Sequence, residues 1–410
     1  MTPTLLHEAI HIGVMSDTLA LDNTFTGFAI SYHDFSANNI TIKNNTAIIS
    51  GALAVFTVGS QVDVEDNTVT VTTPKGYQGH AFFEDFGSGY PVAHVYYSNN
   101  TVQAQGSGGD GEAFASDGPQ SYYTGQVTSA SGTNLSMAID CYENSKATVN
   151  NSISPKFWDS QWYMVVIGGT GLGQIRTVTS NGSDNTTFTV DKPWDIEPDG
   201  TSRIEIGNWG DDMVYYRNTV TDSSEGLQSY GYDTVWDDNS ITNSPSSIIA
   251  YDWDTKDYVR CATPAYFTDI SNNQFINTGY NVSTSPYIDL LSFFSNTSYD
   301  PANSSFPPRL NILQYGVDIK HNTFIGVNAA GQEGLNVHDT PPFRNSELTD
   351  VLSTDTTQIG SLINQNTFSN LVTDVQFAVP SMGYTTVLPV AGSTVPSISD
   401  GASTATVILP

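Results

Sequence analysis

Basic residues, cysteines and long apolar runs are all scarce in this chain of 410 residues. Lysine and arginine total 13 against 42 aspartates and glutamates, which gives a formal net charge of -29. Nucleic-acid binding is therefore disfavoured, because its affinity rests on Lys and Arg that neutralise phosphates. No stretch reaches the ~18 consecutive apolar residues that cross a bilayer, so we predict no membrane span. The two cysteines, Cys141 and Cys261, allow either one disulfide or two unrelated buried thiols.

The polar content comes from Asn, Ser, Thr and Gly rather than from charge, and 21 Tyr and 6 Trp accompany it. This usage is typical of secreted β-rich proteins that handle sugars, and it predicts a secreted or cell-surface location. The 38% of hydrophobic residues is enough for one or two sizeable cores. Residues 1–17 lack the basic-then-apolar order of a signal peptide, so we interpret the chain as trimmed from a longer secreted one.

An asparagine recurs along the chain in the pattern apolar-x-apolar-x-x-Asn-x-apolar, seen best in residues 62–69 and 317–324. The asparagines in this pattern are Asn23, Asn45, Asn67, Asn100, Asn218, Asn239, Asn273, Asn322 and Asn366. Their spacing indicates a unit of about 22 residues, with loops or skipped coils in the longer intervals. Such a repeat predicts an all-β right-handed single-stranded parallel β-helix, in which stacked coils bury a continuous core.

The pattern also predicts the direction of each side chain. Residues five and three before the asparagine, and two after it, are mostly apolar and are expected to point inward. The asparagine itself is expected to take the left-handed conformation at a bend and to hydrogen-bond its equivalents as a ladder. The rival fold, an antiparallel sandwich, would show hairpin turns every 8–12 residues instead.

The interval from Asn100 to Asn218 is far longer than one coil and predicts an insertion. It begins with a Gly-rich acidic loop and continues as β-hairpins over residues 122–128, 134–140, 162–167, 173–179, 186–190 and 202–206. We predict N-terminal coils over 1–105, the inserted loop and antiparallel β module over 106–207, C-terminal coils over 208–380, and a Ser/Thr-rich tail or cap over 381–410.

Part of the insertion resembles a known module. Residues 168–176, with Pro193-Trp194-Asp195 and residues 198–202 after them, resemble a small β module that recurs in phage and bacterial β-helix proteins of the pectate-lyase-like superfamily. The resemblance implies polysaccharide as the usual substrate class. The pair Asp211-Asp212 resembles the paired aspartates of polygalacturonases only faintly, and the histidine motif that accompanies them there is missing.

Residues six, four and two before each asparagine are expected to face outward and to stack at the ~4.8 Å spacing of parallel strands. Asp212 and Asp233 both lie six before their asparagine, which places one carboxylate above the other. Two like charges at this spacing raise one pKa and keep a proton available, so the pair can act as acid and base. The further candidate catalytic residues are Asp211, Asp237, Glu225 and Glu112, the last of them in the acidic loop, which can fold over the same face as a lid.

The candidate substrate-binding residues are Tyr96, Tyr216, His94, Trp209, Tyr230, Trp253 and Arg217. Aromatic rings among them can stack on the apolar face of a pyranose. The seven histidines show no metal-ligand spacing, so no metal site is assigned. Calcium remains the one cofactor considered, because stacked carboxylates can hold a structural Ca²⁺ ion.

Three functions are consistent with these features. The first is an extracellular carbohydrate-active enzyme, a glycoside hydrolase on neutral or weakly charged polysaccharide. The second is a non-catalytic adhesin, tailspike-like shaft or surface-structural solenoid. The third is a Ca²⁺-dependent polysaccharide lyase, disfavoured because the strongly negative field opposes the basic group and the uronate substrate that a lyase needs. The predicted partners are a polysaccharide and, through exposed solenoid ends, a second copy of the chain.

Overall fold

The structure is a computed structural model, and it consists of β-strands joined by turns and loops. It describes residues 8–12, 15–27, 30–34, 37–49, 52–56, 59–71, 83–86, 92–104, 112–117, 121–142, 162–183, 186–207, 210–223, 225–229, 231–255, 258–259, 265–277, 288–296, 314–330, 332–340, 358–359, 361–377, 382–383, 386–388, 396–400 and 406–407. In these residues no helix is long and apolar enough to cross a membrane.

The first thirteen strands precede the insertion. In chain order they are β1 (Glu8–Ile12), β2 (Met15–Leu21), β3 (Thr24–Thr26), β4 (Ile30–Asp34), β5 (Ala37–Lys43), β6 (Thr46–Ile49), β7 (Ala52–Phe56), β8 (Gly59–Glu65), β9 (Thr68–Val71), β10 (Phe83–Phe86), β11 (Val92–Ser98), β12 (Thr101–Ala104) and β13 (Glu112–Asp117). The inserted module consists of β14 (Ser121–Ser131), β15 (Asn134–Tyr142), β16 (Tyr163–Gly168), β17 (Ile175–Asn181), β18 (Thr187–Val190) and β19 (Arg203–Gly207).

The remaining strands follow the insertion. They are β20 (Asp211–Tyr216), β21 (Thr219–Thr221), β22 (Glu225–Ser229), β23 (Gly231–Asp237), β24 (Ser240–Thr242), β25 (Ser246–Thr255), β26 (Tyr258–Val259), β27 (Ala265–Ser271), β28 (Gln274–Ile276), β29 (Ile288–Asn296), β30 (Gln314–Tyr315), β31 (Asp318–Lys320), β32 (Thr323–Ile325), β33 (Glu333–Thr340), β34 (Gln358–Ile359), β35 (Leu362–Asn364), β36 (Thr367–Ser369), β37 (Thr373–Phe377), β38 (Met382–Gly383), β39 (Thr386–Leu388), β40 (Ile398–Asp400) and β41 (Thr406–Val407).

Three long sheets run side by side along the molecule. The first has the order β1-β4-β7-β10-β13-β22-β25-β29-β33-β37-β40, the second β2-β5-β8-β11-β20-β23-β27-β31-β35-β39-β41, and the third β3-β6-β9-β12-β21-β24-β28-β32-β36. Short strands β30, β34 and β38 extend the second sheet, and β26 pairs with β25. Neighbours such as β20 and β23 pair in parallel. In the described residues the first nine coils contribute one strand to each sheet and the last two contribute strands to the first and second sheets, which confirms the predicted parallel β-helix.

Alternation along the strands builds the core between the three sheets. In β20 and β21 the inward residues Met213, Tyr215 and Val220 are fully buried, as the repeat predicts. Equivalent side chains stack from coil to coil: the rings of Phe275 and Phe324 lie parallel with centroids 5.1 Å apart. One continuous cluster of buried apolar residues therefore runs through the described coils.

The predicted asparagine ladder is present. Each asparagine of the pattern donates its side-chain amide to the side-chain oxygen of the next one, over distances of 2.8–3.1 Å, from Asn23 to Asn366. The predicted left-handed conformation of the asparagine is wrong. The residue before it takes that conformation instead, as in Asp22, Asn44, Asp66, Asn99, Arg217, Asp238, Asn272, His321 and Gln365. This residue makes the bend, so that the asparagine can turn its amide into the core.

The inserted module is a closed barrel with the strand order β14-β15-β18-β17-β16-β19 and antiparallel pairing. Its six strands are those predicted from the sequence. It has its own core, which includes Phe188, Ile204 and Ile206. Of the two cysteines, Cys141 lies in β15 and Cys261 lies outside the described residues.

Two boundaries differ from the sequence-based division. The strand β13 belongs to the first sheet of the solenoid, where it pairs with β10 and β22, so the barrel begins at β14. The tail over 381–410 contributes β39, β40 and β41 to the first and second sheets. In β13 the side chains of Ala113 and Phe114 are fully buried in the solenoid core, and in the tail Val387 is buried in the same core.

Candidate functional site

A second column of left-handed residues runs along the second sheet, six positions before the ladder asparagines. Its members have φ angles of 53–58°: Asp17, Asn39, Gln61, His94, Asp212, Asp233 and Phe267. Where β20 pairs with β23, the residues just before and just after the column position are register partners, while the column residues themselves are not. Asp and Asn tolerate this conformation better than most side chains. The bend thus places Asp212 and Asp233, both exposed, at equivalent positions of adjacent coils.

His94 occupies the same column one coil before Asp212. Its Nδ1 lies 2.7 Å from Oδ2 of Asp212, and the two side chains are 34% and 59% exposed. A protonated imidazole makes this a charge-assisted hydrogen bond. The contact gives one carboxylate of the column an imidazole partner, while more than half of the Asp212 side chain stays exposed.

Asp211 lies beneath the inserted barrel and is 4% exposed. Its Oδ2 accepts a hydrogen bond from the hydroxyl of Tyr163, the first residue of β16. Burial raises the pKa of Asp211 to about 6, with Asp212 and Asp233 adding to the rise, while Tyr163 and His94 oppose it. Asp211, Asp212 and Asp233 are called the carboxylate cluster below.

The pKa of Asp233 is also raised above its usual range, first by partial burial and then by the charge of Asp212. Tyr232, the residue before it, has a raised pKa for the same reasons, burial and the neighbouring carboxylates. The rings of Tyr232 and Tyr163 lie 5.0 Å apart between centroids. Two carboxyl groups of the cluster, Asp211 and Asp233, thus have pKa values raised above that of a free aspartate.

The barrel is packed on the second sheet beside this cluster. The strand β16 is buried on both faces: Met164 and Val166 belong to the barrel core, while Tyr163, Val165 and Ile167 pack with Tyr266 of β27. The insertion occupies the corner between the first and second sheets, since it joins β13 to β20. In the next coil that corner is a single residue between β22 and β23. The barrel therefore emerges where the strands of the carboxylate cluster begin.

The other acidic and aromatic candidates of the second sheet lie further along its strands. Tyr216 is four residues after Asp212, a distance of ~13 Å in an extended strand. Arg217 lies over the Tyr216 ring at 4.7 Å, and its Nε donates to Asp238 at 2.8 Å. The structure thus separates these residues from the carboxylate cluster, although they lie on the same face.

Asp237 also lies at this far end of the strands. Its Oδ1 accepts hydrogen bonds from Ser271 at 3.2 Å and Asn272 at 2.8 Å. These contacts tie the Asp237 side chain to the next coil. Tyr96 is half-buried in β11, directly beside Val214 in the register.

Glu112 and Glu225 lie elsewhere. They are register partners in β13 and β22 of the first sheet, not neighbours of the carboxylate cluster. Glu112 begins a solenoid strand, whereas the sequence placed it in a lid. Trp209 and Tyr230 lie outside the described residues; Trp253 belongs to β25, but its side chain is not described.

Sequence reasoning missed Tyr163 and Tyr232. The run of apolar residues in β16 indicates a strand buried on both faces, but nothing in it says which surface it covers. Among the described residues, no group of three or more His, Cys, Asp or Glu side chains has the arrangement to hold a metal ion.

No protein-family model matches the sequence, and no curated protein sequence matches it. Among solved structures, the chain is similar to the tailspike protein gp49 from Pseudomonas phage LKA1, at 10% identity and a TM-score of 0.23, over 83% of this chain and 74% of that one. It is also similar to the Gp54 tailspike of Acinetobacter baumannii bacteriophage AP22, solved in complex with A. baumannii capsular saccharide. That match has 10% identity and a TM-score of 0.19, over 92% and 72% of the two chains. At these TM-scores the likeness carries no inference about function.

Proposed function

We propose that the chain is an extracellular carbohydrate-active β-helix protein that hydrolyses polysaccharide at the carboxylate cluster. The observation that carries this proposal is the placement of Asp212 and Asp233, two exposed carboxylates at equivalent bends of adjacent coils, with Asp211 buried behind them. We also propose membership of the pectate-lyase-like superfamily, on the repeat and the inserted module.

The environments of the two exposed carboxylates support different roles. Asp233 has the raised pKa that a proton donor to the leaving oxygen needs. Asp212 is held by His94 at 2.7 Å and would act as the nucleophile or base. Adjacent parallel strands lie ~4.8 Å apart, close to the ~5–5.5 Å between the carboxyl groups of retaining glycosidases.

The substrate that fits is neutral or weakly charged, because a net charge of -29 repels a polyanion. Tyr96 and Tyr216 lie half-buried on the same outer face and would stack against sugar rings. Self-association would use the ends of the three sheets, because an unpaired sheet edge can pair with a second chain.

The test compares three matched variants, D212N, D233N and D17N, on a panel of neutral and weakly acidic polysaccharides. Asp17 occupies the same left-handed column and accepts a hydrogen bond from Asn39 at 2.6 Å, which an amide oxygen can also accept. Release of reducing ends should fall at least about a hundredfold in D212N and D233N and stay unchanged in D17N.

Four outcomes of this test have distinct meanings. Loss in both cluster variants with glycan binding retained supports hydrolysis by this pair. Unchanged turnover in both removes the pair. Glycan binding without turnover in the wild type favours the adhesin or tailspike-like function. Unsaturated products whose formation stops on chelation favour the Ca²⁺-dependent lyase.

A further inference from the structure

We infer that the inserted barrel forms part of the site. Its residue Tyr163 is a positioning residue that anchors Asp211 behind the two exposed carboxylates. The inference rests on the proposed function and assigns part of it to the insertion. The hydroxyl of Tyr163 donates to Asp211 and not, among the described contacts, to either exposed carboxylate. It would act through Asp211.

A hydrogen bond joins the barrel to the carboxylate cluster. The hydroxyl of Tyr163 donates to Oδ2 of Asp211, and Oδ1 of Asp211 has no hydrogen-bond partner among the described residues. Within the described part of the chain, Tyr163 is thus the one hydrogen-bond partner of this carboxyl group, and Asp211 is 4% exposed. Because Asp211 immediately precedes Asp212 in β20, anchoring the first side chain also fixes the backbone that presents the second.

The barrel packs closely against the second sheet. Gly173, in the turn after β16, has φ +85°, and a Cβ there would lie 2.6 Å from the ring of Tyr315. The rings of Tyr315 and Phe267 pack edge to face at 5.5 Å, and Phe267 packs in the same way on Tyr232 at 5.9 Å. An aromatic row on the second sheet therefore receives the barrel, and only a glycine lets the turn come this close.

The barrel also changes the electrostatic environment of Asp211. The titratable groups that face Asp211 are Tyr163 from the barrel, Asp212 from the same strand, His94 from the preceding coil, and Tyr232 with Asp233 from the next coil. Burial by the barrel opposes ionisation of Asp211, while the hydroxyl of Tyr163 favours it. The barrel thus acts on the carboxyl group in two opposite ways, and each can be removed separately.

The test uses the whole chain with ¹³C-labelled aspartate and follows the carboxyl resonance that disappears in D211N. In Y163F the barrel stays docked but the hydrogen bond is lost, so the pKa of Asp211 should rise by about one unit. In G173A the added Cβ displaces the barrel, so water reaches Asp211 and its pKa should fall by about one unit or more, towards its usual range. G132A is the matched control, since Gly132 has φ +60° with nothing within 4 Å of its Cβ position.

The two variants have expected shifts of opposite sign, which a general loss of stability would not produce. An unchanged pKa in Y163F, or the same shift in G173A and G132A, overturns the inference. This readout needs no substrate, so it is independent of the proposed function. If hydrolysis is found, the pH-rate profile of Y163F should shift to higher pH, and kcat should fall by a larger factor than KM changes. A profile that superimposes on that of the wild type would refute the positioning role.

Discussion

Asn218 is the most informative position at which to break the asparagine ladder. Its side-chain amide donates to the carbonyl of Tyr97 at 3.0 Å and to Oδ1 of Asn239 at 3.1 Å. Its Oδ1 accepts from the backbone N–H of Asn100 at 3.0 Å and from the Asn100 side chain at 3.0 Å. All of these groups are buried, and the position joins the coils on either side of the insertion.

The substitution Asn218→Ala removes all four hydrogen bonds at once. The backbone N–H of Asn100 then has no acceptor, which costs about 1–3 kcal/mol for a buried donor, and each of the other bonds contributes about 0.5–1.5 kcal/mol. We expect the free energy of unfolding to fall by about 4 kcal/mol. The loss should be local to the coils that meet at this residue, because repeat proteins are coupled mainly to their neighbours.

The matched control is Asn23→Ala at the outer end of the ladder. Asn23 is half-buried, and its amide donates to Asn45 at 3.0 Å, so the expected loss is about 1 kcal/mol. Urea unfolding gives the two losses, and hydrogen exchange read by mass spectrometry should show lost protection around Asn100 in the first variant. Equal losses in the two variants would show that the ladder does not stabilise the interior coils in this way.

Two further predictions concern the core and the buried carboxyl group. Trp236, fully buried against Tyr215, should cost about 3–5 kcal/mol of unfolding free energy when replaced by Ala and clearly less when replaced by Phe, as urea unfolding would show. Asp211 has a folded pKa of about 6 against 3.8 for the free side chain, so it binds more protons in the folded state, and stability falls as pH rises from about 4 to 6, by about 3 kcal/mol at most. The difference in unfolding free energy between wild type and D211N across pH 4–7 should follow that curve, and a flat difference would contradict the raised pKa.

The ladder could be predicted from the sequence because every coil repeats the same environment. A buried asparagine that meets an equivalent asparagine above and below has its donors and its acceptor satisfied in the same way each time. The left-handed residue could not be assigned, because that position holds Asp, Asn, Arg, His or Gln. No single residue type marks it, whereas the asparagine after it is constant.

The carboxylate cluster was predicted only in part. The spacing of Asp212 and Asp233 follows from the period, since both lie six residues before a ladder asparagine. The partnership of His94 with Asp212 follows from the same column, although the insertion lies between them in the chain. Glu112 and Glu225 also stack on each other, but in the first sheet, because a period alone does not say which sheet a loop residue joins.

By itself the sequence determined the coil, the ladder and the inward or outward direction of the strand residues, because each follows from a pattern that repeats along the chain. The closed barrel was also readable, as six strands with their own apolar alternation. The docking of that barrel was decided by the tertiary structure alone. Burial of Asp211 and its bond to Tyr163 depend on how β16 fits the aromatic row of the second sheet. That contact between the barrel and the second sheet occurs once in the molecule, so the repeating sequence pattern cannot predict it.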